Sequence, residues 1–335
     1  MMNRRHFLAC TAGASSSLLL PVRLLAQSGI KLEQLNFLEI RVADTERSIN
    51  FHQQLFGMPV QSRNDGRTVL KIGADHFMAI RPVQNGETAA ITHYGYSVAN
   101  YDLDNALNTL KAGGFRQIDA PAITAPGIEN AMTTWVQERE GTPTLYLADA
   151  HGLILQLTDP SWCAGSGTLG NICSAPQVLA PGSITLSDIN HFTTFVNGGP
   201  EAAEFYESFF GIYPQAYQAT TPSLGIGDGK QFVMFAGGPF NGQPTPANIH
   251  HVSYNMDGFV VDEVLGKLEE HGVTPRGDRQ LGPLMHYISL RMPDRGGAEG
   301  GTPEVYFTDA DGILMQIQDS SYCGGGGYLG NVCSV

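Results

Sequence analysis

Two stretches decide how this chain is read: LYLADAHGLILQL, residues 145–157, and VYFTDADGILMQI, residues 305–317. In each, two runs rich in apolar and aromatic residues flank a short turn bearing Asp and Gly, the pattern of a strand hairpin. The copies stand ~160 residues apart in a chain of 335. Solenoid units recur every 20–50 residues or so, so a period this long points to a duplicated domain.

The duplication reaches well beyond the hairpin. ITHYGYSV (91–98) matches IHHVSYNM (249–256), and LNFLEIRVADTERSINFHQQLFGMPV (35–60) matches INHFTTFVNGGPEAAEFYESFFGIYP (189–214). Within the first half, FLEIRV (37–42) alternates like a strand, and Asp44 then caps a helix that runs to about Phe56. TVLKIG and HFMAI follow as strands around a Gly-Ala-Asp turn. THYGYSV is a strand, LDNALNTLKAGG a helix ended by Gly, and TTWVQE a strand before the hairpin. Each half therefore reads as two βαβββ modules, giving an α+β protein of two tandem domains. SAPQVLAPGS, residues 174–183, is small, proline-bearing and aperiodic, a linker. The domains fall at 33–173 and 184–335.

Composition bounds the function. With 42% hydrophobic residues and 15% charged, the chain has material for two ordinary cores. A formal charge of −13 argues against a nucleic-acid partner, which needs clustered Lys and Arg. No apolar run is long enough to span a membrane. The N-terminus, MMNRRHFLACTAGASSSLLLPVRLLAQ, places Arg4 and Arg5 ahead of a mildly apolar stretch. It reads as a twin-arginine export signal occupying residues 1–26, and implies a periplasmic or secreted protein. Removing it takes away Cys10 and leaves Cys163, Cys173, Cys323 and Cys333 as two matched pairs. In an oxidising compartment these read as two local disulfides.

LYLADAHGLILQL and VYFTDADGILMQI also resemble the terminal hairpin of the vicinal oxygen chelate superfamily, which includes glyoxalases, bleomycin-resistance proteins and extradiol dioxygenases. The resemblance spans residues 33–320 in module order and spacing. It implies a curved mixed sheet in each domain and a divalent metal ion held from the first strand of each module and the final strand. Those places in the second half are His191, His251 and Gln316. The first half offers Phe37, His93 and Gln156, and phenylalanine cannot ligate, so the resemblance implies a metal-free structural domain before a metal-bearing one. Because neighbouring residues of a strand face opposite ways, His250 is expected to point away from His251.

The family usually has Glu where Gln316 stands, completing a two-His-one-carboxylate face suited to Fe(II). Zn, Mn, Ni and Cu are the other metals compatible with this set. Glu304 lies on the same face as Gln316 if the turn pairs Tyr306 with Gln316, and is a candidate ligand or base. Tyr306 occupies the place of a substrate-binding Tyr in the extradiol enzymes. His286 is a candidate acid–base group if its loop folds inward. Three functions follow: a metal-dependent, extradiol-dioxygenase-like oxidoreductase acting on a small substrate with adjacent oxygens; a metal-dependent lyase, isomerase or hydrolase; or a metal-free small-molecule binder of the resistance type. Substrate, metal and oligomeric state stay open among these.

Overall fold

The computed structural model describes residues 29–64, 66–84, 86–123, 131–139, 141–227, 229–238 and 246–333. The twin-arginine segment lies outside the described residues. The first half contains β1 (Leu32–Val42), α1 (Thr45–Phe56), β2 (Val60–Asn64), β3 (Arg67–Ile72), β4 (His76–Pro82), β5 (Ala90–Val98), α2 (Leu103–Ala112), β6 (Arg116–Gln117), β7 (Thr133–Arg139), β8 (Thr142–Ala148) and β9 (Ile154–Thr158). The second half repeats the order. It runs β10 (Asp188–Phe195), α3 (Gly199–Phe210), β11 (Pro214–Gln218), β12 (Thr221–Gly225), β13 (Phe232–Ala236), β14 (Asn248–Met256), α4 (Val261–Glu270), β15 (Thr274–Pro275), β16 (Met285–Arg291), β17 (Thr302–Thr308) and β18 (Leu314–Asp319).

Each half forms one nine-stranded mixed sheet, ordered β2-β3-β4-β1-β5-β9-β8-β7-β6 and β11-β12-β13-β10-β14-β18-β17-β16-β15. Two modules join at the antiparallel β1–β5 and β10–β14 seams, while β1–β4 and β5–β9 run parallel. The α+β, two-domain architecture is thus the one expected. Asp44 caps α1 by accepting from the Arg47 N–H. β2 and β11, absent from the expected strands, lie at sheet edges and are short, polar and half-exposed. Such strands bury no apolar stripe and leave no periodic signal.

The period of two along each strand sorts side chains onto two faces. On β14, Val252, Tyr254 and Met256 enter the main core, and on β18 Met315 and Ile317 do the same. That core is continuous between the domains: Tyr94 stacks on Phe192 with centroids 4.5 Å apart, and Phe56 of α1 packs on Tyr254 and Phe307. The other face of the second sheet carries most of the polar groups described below, whereas that of the first also holds apolar clusters around Trp162 and Trp135. Both expected disulfides form, Cys163–Cys173 and Cys323–Cys333, with Cα–Cα distances of 6.2 and 6.3 Å, within the range a bridge allows. Among the described residues, no helix is long and apolar enough to cross a membrane.

Three buried histidines give the fold an acid limit. Burial lowers His52, His76 and His93 from 6.5 to about 4. His76 also accepts at Nε2 from the amides of Gln34 and Gln231, tying the two domains together. Between those pH values the unfolded chain takes up protons that the folded chain refuses. Stability is therefore complete above about pH 6.5 and is lost as pH falls toward 4. Each ring contributes on the order of 3 kcal/mol across that window. Asp309 opposes this, because burial raises it to about 6; its contribution is full below about pH 4 and lost as pH rises through 6. Asp149, Asp188 and Glu207 are raised as well, but His191, His250 and His251 are also lowered, so the imidazoles outweigh the carboxyls. The melting temperature should fall steeply from pH 7 to pH 4.5, and a flat profile would mean that these rings are not held neutral.

Candidate functional site

The polar face of the second sheet curves around a cavity of ≈ 200 Å³ lined by His191, His251, Gln316, Glu304, Tyr306 and Tyr322, with His250 at its rim. The strands that supply them are neighbours: His191 lies on β10, His251 on β14, Gln316 on β18, and Glu304 and Tyr306 on β17. Tyr306 pairs directly with Gln316, so Glu304, two residues along, shares their face.

His191 is wedged between Phe232, at 4.3 Å, and Tyr322, at 5.8 Å, both stacked on its ring. Its Nδ1 lies 2.6 Å from Asn190 Oδ1, and the Asn190 amide donates in turn to the Tyr322 carbonyl. With the amide oriented that way, Oδ1 accepts and His191 Nδ1 carries the proton, which leaves Nε2 a lone pair. Burial, then the Arg291 charge, lowers His191 to about 3. Burial, then the two neighbouring imidazoles, puts His251 well below its ordinary value. The His191 and His251 rings meet edge to face at 5.4 Å. Gln316 stands near enough to interact with both imidazoles. Yet neither its Oε1 nor its Nε2 has a hydrogen-bond partner, and neither does His251 Nε2. The first domain leaves the matching atoms, His93 Nε2 and both polar atoms of Gln156, without partners as well.

Glu304 is engaged by the protein itself. Its Oε1 accepts from Arg291 Nε at 2.9 Å and from the Tyr322 hydroxyl at 3.0 Å, and its Oε2 from the Tyr306 hydroxyl at 3.3 Å. The ion pair is fully buried. The other two Arg291 nitrogens donate to the Gly296 and Gly325 carbonyls, so the guanidinium also holds the loop closed by Cys323–Cys333. Burial, then Glu304, raises Tyr306 and Tyr322 above the ordinary tyrosine value, and both serve as donors. Removing Arg291 should therefore be costly. Arg291→Met leaves Glu304 buried and unpaired, and we expect a loss of about 3–5 kcal/mol in urea unfolding, partly recovered by adding Glu304→Gln. A loss below about 1 kcal/mol would mean that Glu304 finds another partner.

Two expectations need correction. His286 does not reach the cavity: it sits on strand β16, opposite Phe307, and its Nε2 meets Glu269 of α4 at 3.1 Å. The strand's alternation sends Tyr287 and Ser289 to the polar face and His286 to the other. His250 does reach it. The β10–β14 pairing steps from Thr193↔His251 to Thr194↔Ile249, so His250 is the extra residue of a β-bulge. A bulge breaks the alternation, and His250 joins His251 at the cavity with their Nδ1 atoms 2.9 Å apart. Arg291 and Tyr322 also escaped the sequence reading. Tyr322 had a signal, since it takes the place of Trp162 beside the first cysteine of each pair.

The first domain fills the same space with hydrocarbon. Phe37 stands where His191 does and packs edge-on against Trp162, as does Phe77. Trp135 stacks on Tyr146 behind His93. Glu39 is buried among charges. Burial works against its ionisation, but His93 and the guanidiniums of Arg81, Arg67 and Arg139 hold it below the ordinary carboxyl value.

No family model matches the chain, and no curated protein does. Solved structures match along most of its length. A variant of homoprotocatechuate 2,3-dioxygenase from Brevibacterium fuscum superposes with a TM-score of 0.60 at 15% identity, covering 88% of this chain and 73% of that one. The same enzyme from Arthrobacter globiformis gives 0.59 at 16% identity, with coverages of 88% and 81%. A Mn(II)-bound glyoxalase from Novosphingobium aromaticivorans gives 0.57 at 15% identity, with coverages of 86% and 82%. At such identity the likeness shows the fold alone.

Proposed function

We propose that the second domain is the working half of a divalent-metal-dependent enzyme acting on a small substrate with adjacent oxygens, and that the first domain is a metal-free support. One observation carries this: two neutral imidazoles and an amide, Gln316, converge on one cavity, whereas the first domain sets a phenyl ring, Phe37, where the second imidazole would stand. That donor set fits a divalent ion, with His191 and His251 ligating through Nε2 and Gln316 through Oε1. Among the described residues, no cluster of three His, Cys, Asp or Glu side chains suits a metal, so an ion here depends on the amide. The two solved folds named above, a homoprotocatechuate 2,3-dioxygenase and a Mn(II)-bound glyoxalase, support a metal-dependent reading.

With three neutral ligands a bound ion keeps its whole charge, which suits a Lewis acid that polarises a substrate oxygen. The chain's own residues then have plain tasks. Tyr306 presents its hydroxyl beside the ligands, held by Glu304. Arg295, exposed at the mouth, offers a cation to an anionic substituent. The volume admits little more than one substituted ring, since a cavity of about 150 Å³ already holds benzene. This favours lyase or isomerase chemistry of the glyoxalase kind. The second reading, an extradiol-like oxidoreductase, is favoured by Tyr306 standing opposite Gln316. The two disulfides support export to an oxidising compartment. Protein purified without added metal should carry about one divalent ion per chain. Substrate consumption without oxygen uptake supports the Lewis-acid reading; oxygen uptake with catechols supports the oxidoreductase. A metal-free protein that binds small aromatics unchanged would overturn both in favour of a binder.

A further inference from the structure

His250 is adjacent to His251 and outside the donor set, and the bulge that turns it inward is not peculiar to this domain. In the first domain, the β1–β5 pairing steps from Glu39↔His93 to Ile40↔Ile91, which makes Thr92 the bulged residue. Thr92 Oγ1 lies 3.0 Å from His93 Nδ1 and also donates to the Glu39 carbonyl. Its one proton is spent there, so the oxygen accepts and His93 Nδ1 is the donor. His191 likewise donates from Nδ1, to Asn190. In the second domain the bulged residue is His250. Two imidazole nitrogens 2.9 Å apart share a single proton, because facing lone pairs or facing N–H groups repel. Phe195 stacks on the His250 ring at 4.2 Å and fixes its plane.

We propose that His250 is a positioning residue: its Nδ1 accepts the Nδ1 proton of His251, as Thr92 does for His93, and so fixes the tautomer in which His251 Nε2 is a lone pair turned to the cavity. The value of that tautomer for an ion rests on the metal-centre reading above; the tautomer itself does not. Partners that orient a ligating histidine through its second nitrogen are commonly carboxylates or carbonyls. Here an imidazole takes the part, and its own proton is placed on Nε2.

The test compares His250→Val with His250→Thr, two side chains of nearly one shape that differ in an acceptor oxygen. In the metal-free protein, two-bond ¹⁵N–¹H correlation spectra should show parent His251 protonated on Nδ1. His250→Thr should keep that form, and His250→Val should shift it toward a mixture. Titration with Co(II) against a competing chelator should show affinity falling about 10–100-fold in His250→Val and staying within about threefold of the parent in His250→Thr. Parent His251 protonated on Nε2, or indistinguishable Val and Thr variants, would overturn the proposal. So would a His250→Thr variant that retains no Co(II), which would make His250 itself a ligand. If the parent takes up no Co(II) while the tautomers behave as stated, the metal-centre reading fails and the role of His250 stands.

Discussion

His251→Ala and His191→Ala will each abolish retention of a divalent ion, whereas His93→Ala will leave ion content unchanged and lower the melting temperature. His93 and His251 occupy matched places on matched strands, and both are buried and held neutral. What differs is the company. Across from His251, at 5.4 Å, stands His191; at the same separation from His93 stands Phe37. Binding needs several converging donors, and one imidazole facing a phenyl ring supplies no second. His93→Ala instead removes a ring packed on Phe37 and Tyr146, a cavity-forming change of about 2–4 kcal/mol. His191→Ala carries a similar packing cost, because the ring stacks on Phe232, so ion content and thermal melts are needed together. An ion lost on His93→Ala, or kept on His251→Ala, would move the site out of the second domain.

Gln316→Glu will tighten divalent-metal binding by at least about tenfold and will destabilise the metal-free protein. A carboxylate near a divalent ion gains several kcal/mol even at the effective dielectric of a protein interior, and a factor of ten needs only about 1.4 kcal/mol. Without the ion, the same carboxyl is buried between two neutral imidazoles, with Arg291 taken by Glu304 and two carbonyls and Arg295 out at the exposed mouth. Burial then costs stability. Opposite shifts in the melts of metal-free and metal-loaded protein are the signature. Equal affinities for parent and variant would place Gln316 outside the ligand set.

Much of this protein was legible before any coordinates. The repeat, its hairpins and its helix caps are local in sequence, and a side-chain period of two fixes which residues of a strand share a face. That logic paired Tyr306 with Gln316 and put Glu304 beside them. The matched cysteine spacing gave both disulfides. The edge strands β2 and β11 escaped because they bury no stripe from which a period can be read.

What tertiary structure decided lies where the period fails or where distant segments meet. A single bulged residue turned His250 from the back of the sheet to the cavity, because one inserted residue reverses the facing of a side chain. No composition announces it. His286 sat on a regular strand, and the same alternation, once its register was fixed, sent it to α4. Glu304 looked available in sequence. Arg291 and Tyr322, one on a neighbouring strand and one just ahead of the disulfide loop, claimed its Oε1, with Tyr306 on Oε2, and only the closing of that loop against the sheet brings them together. Sequence, through its local periods, set the sheets and the faces. Packing between segments far apart in the chain decided which polar groups on those faces are spoken for and which are left open to a ligand.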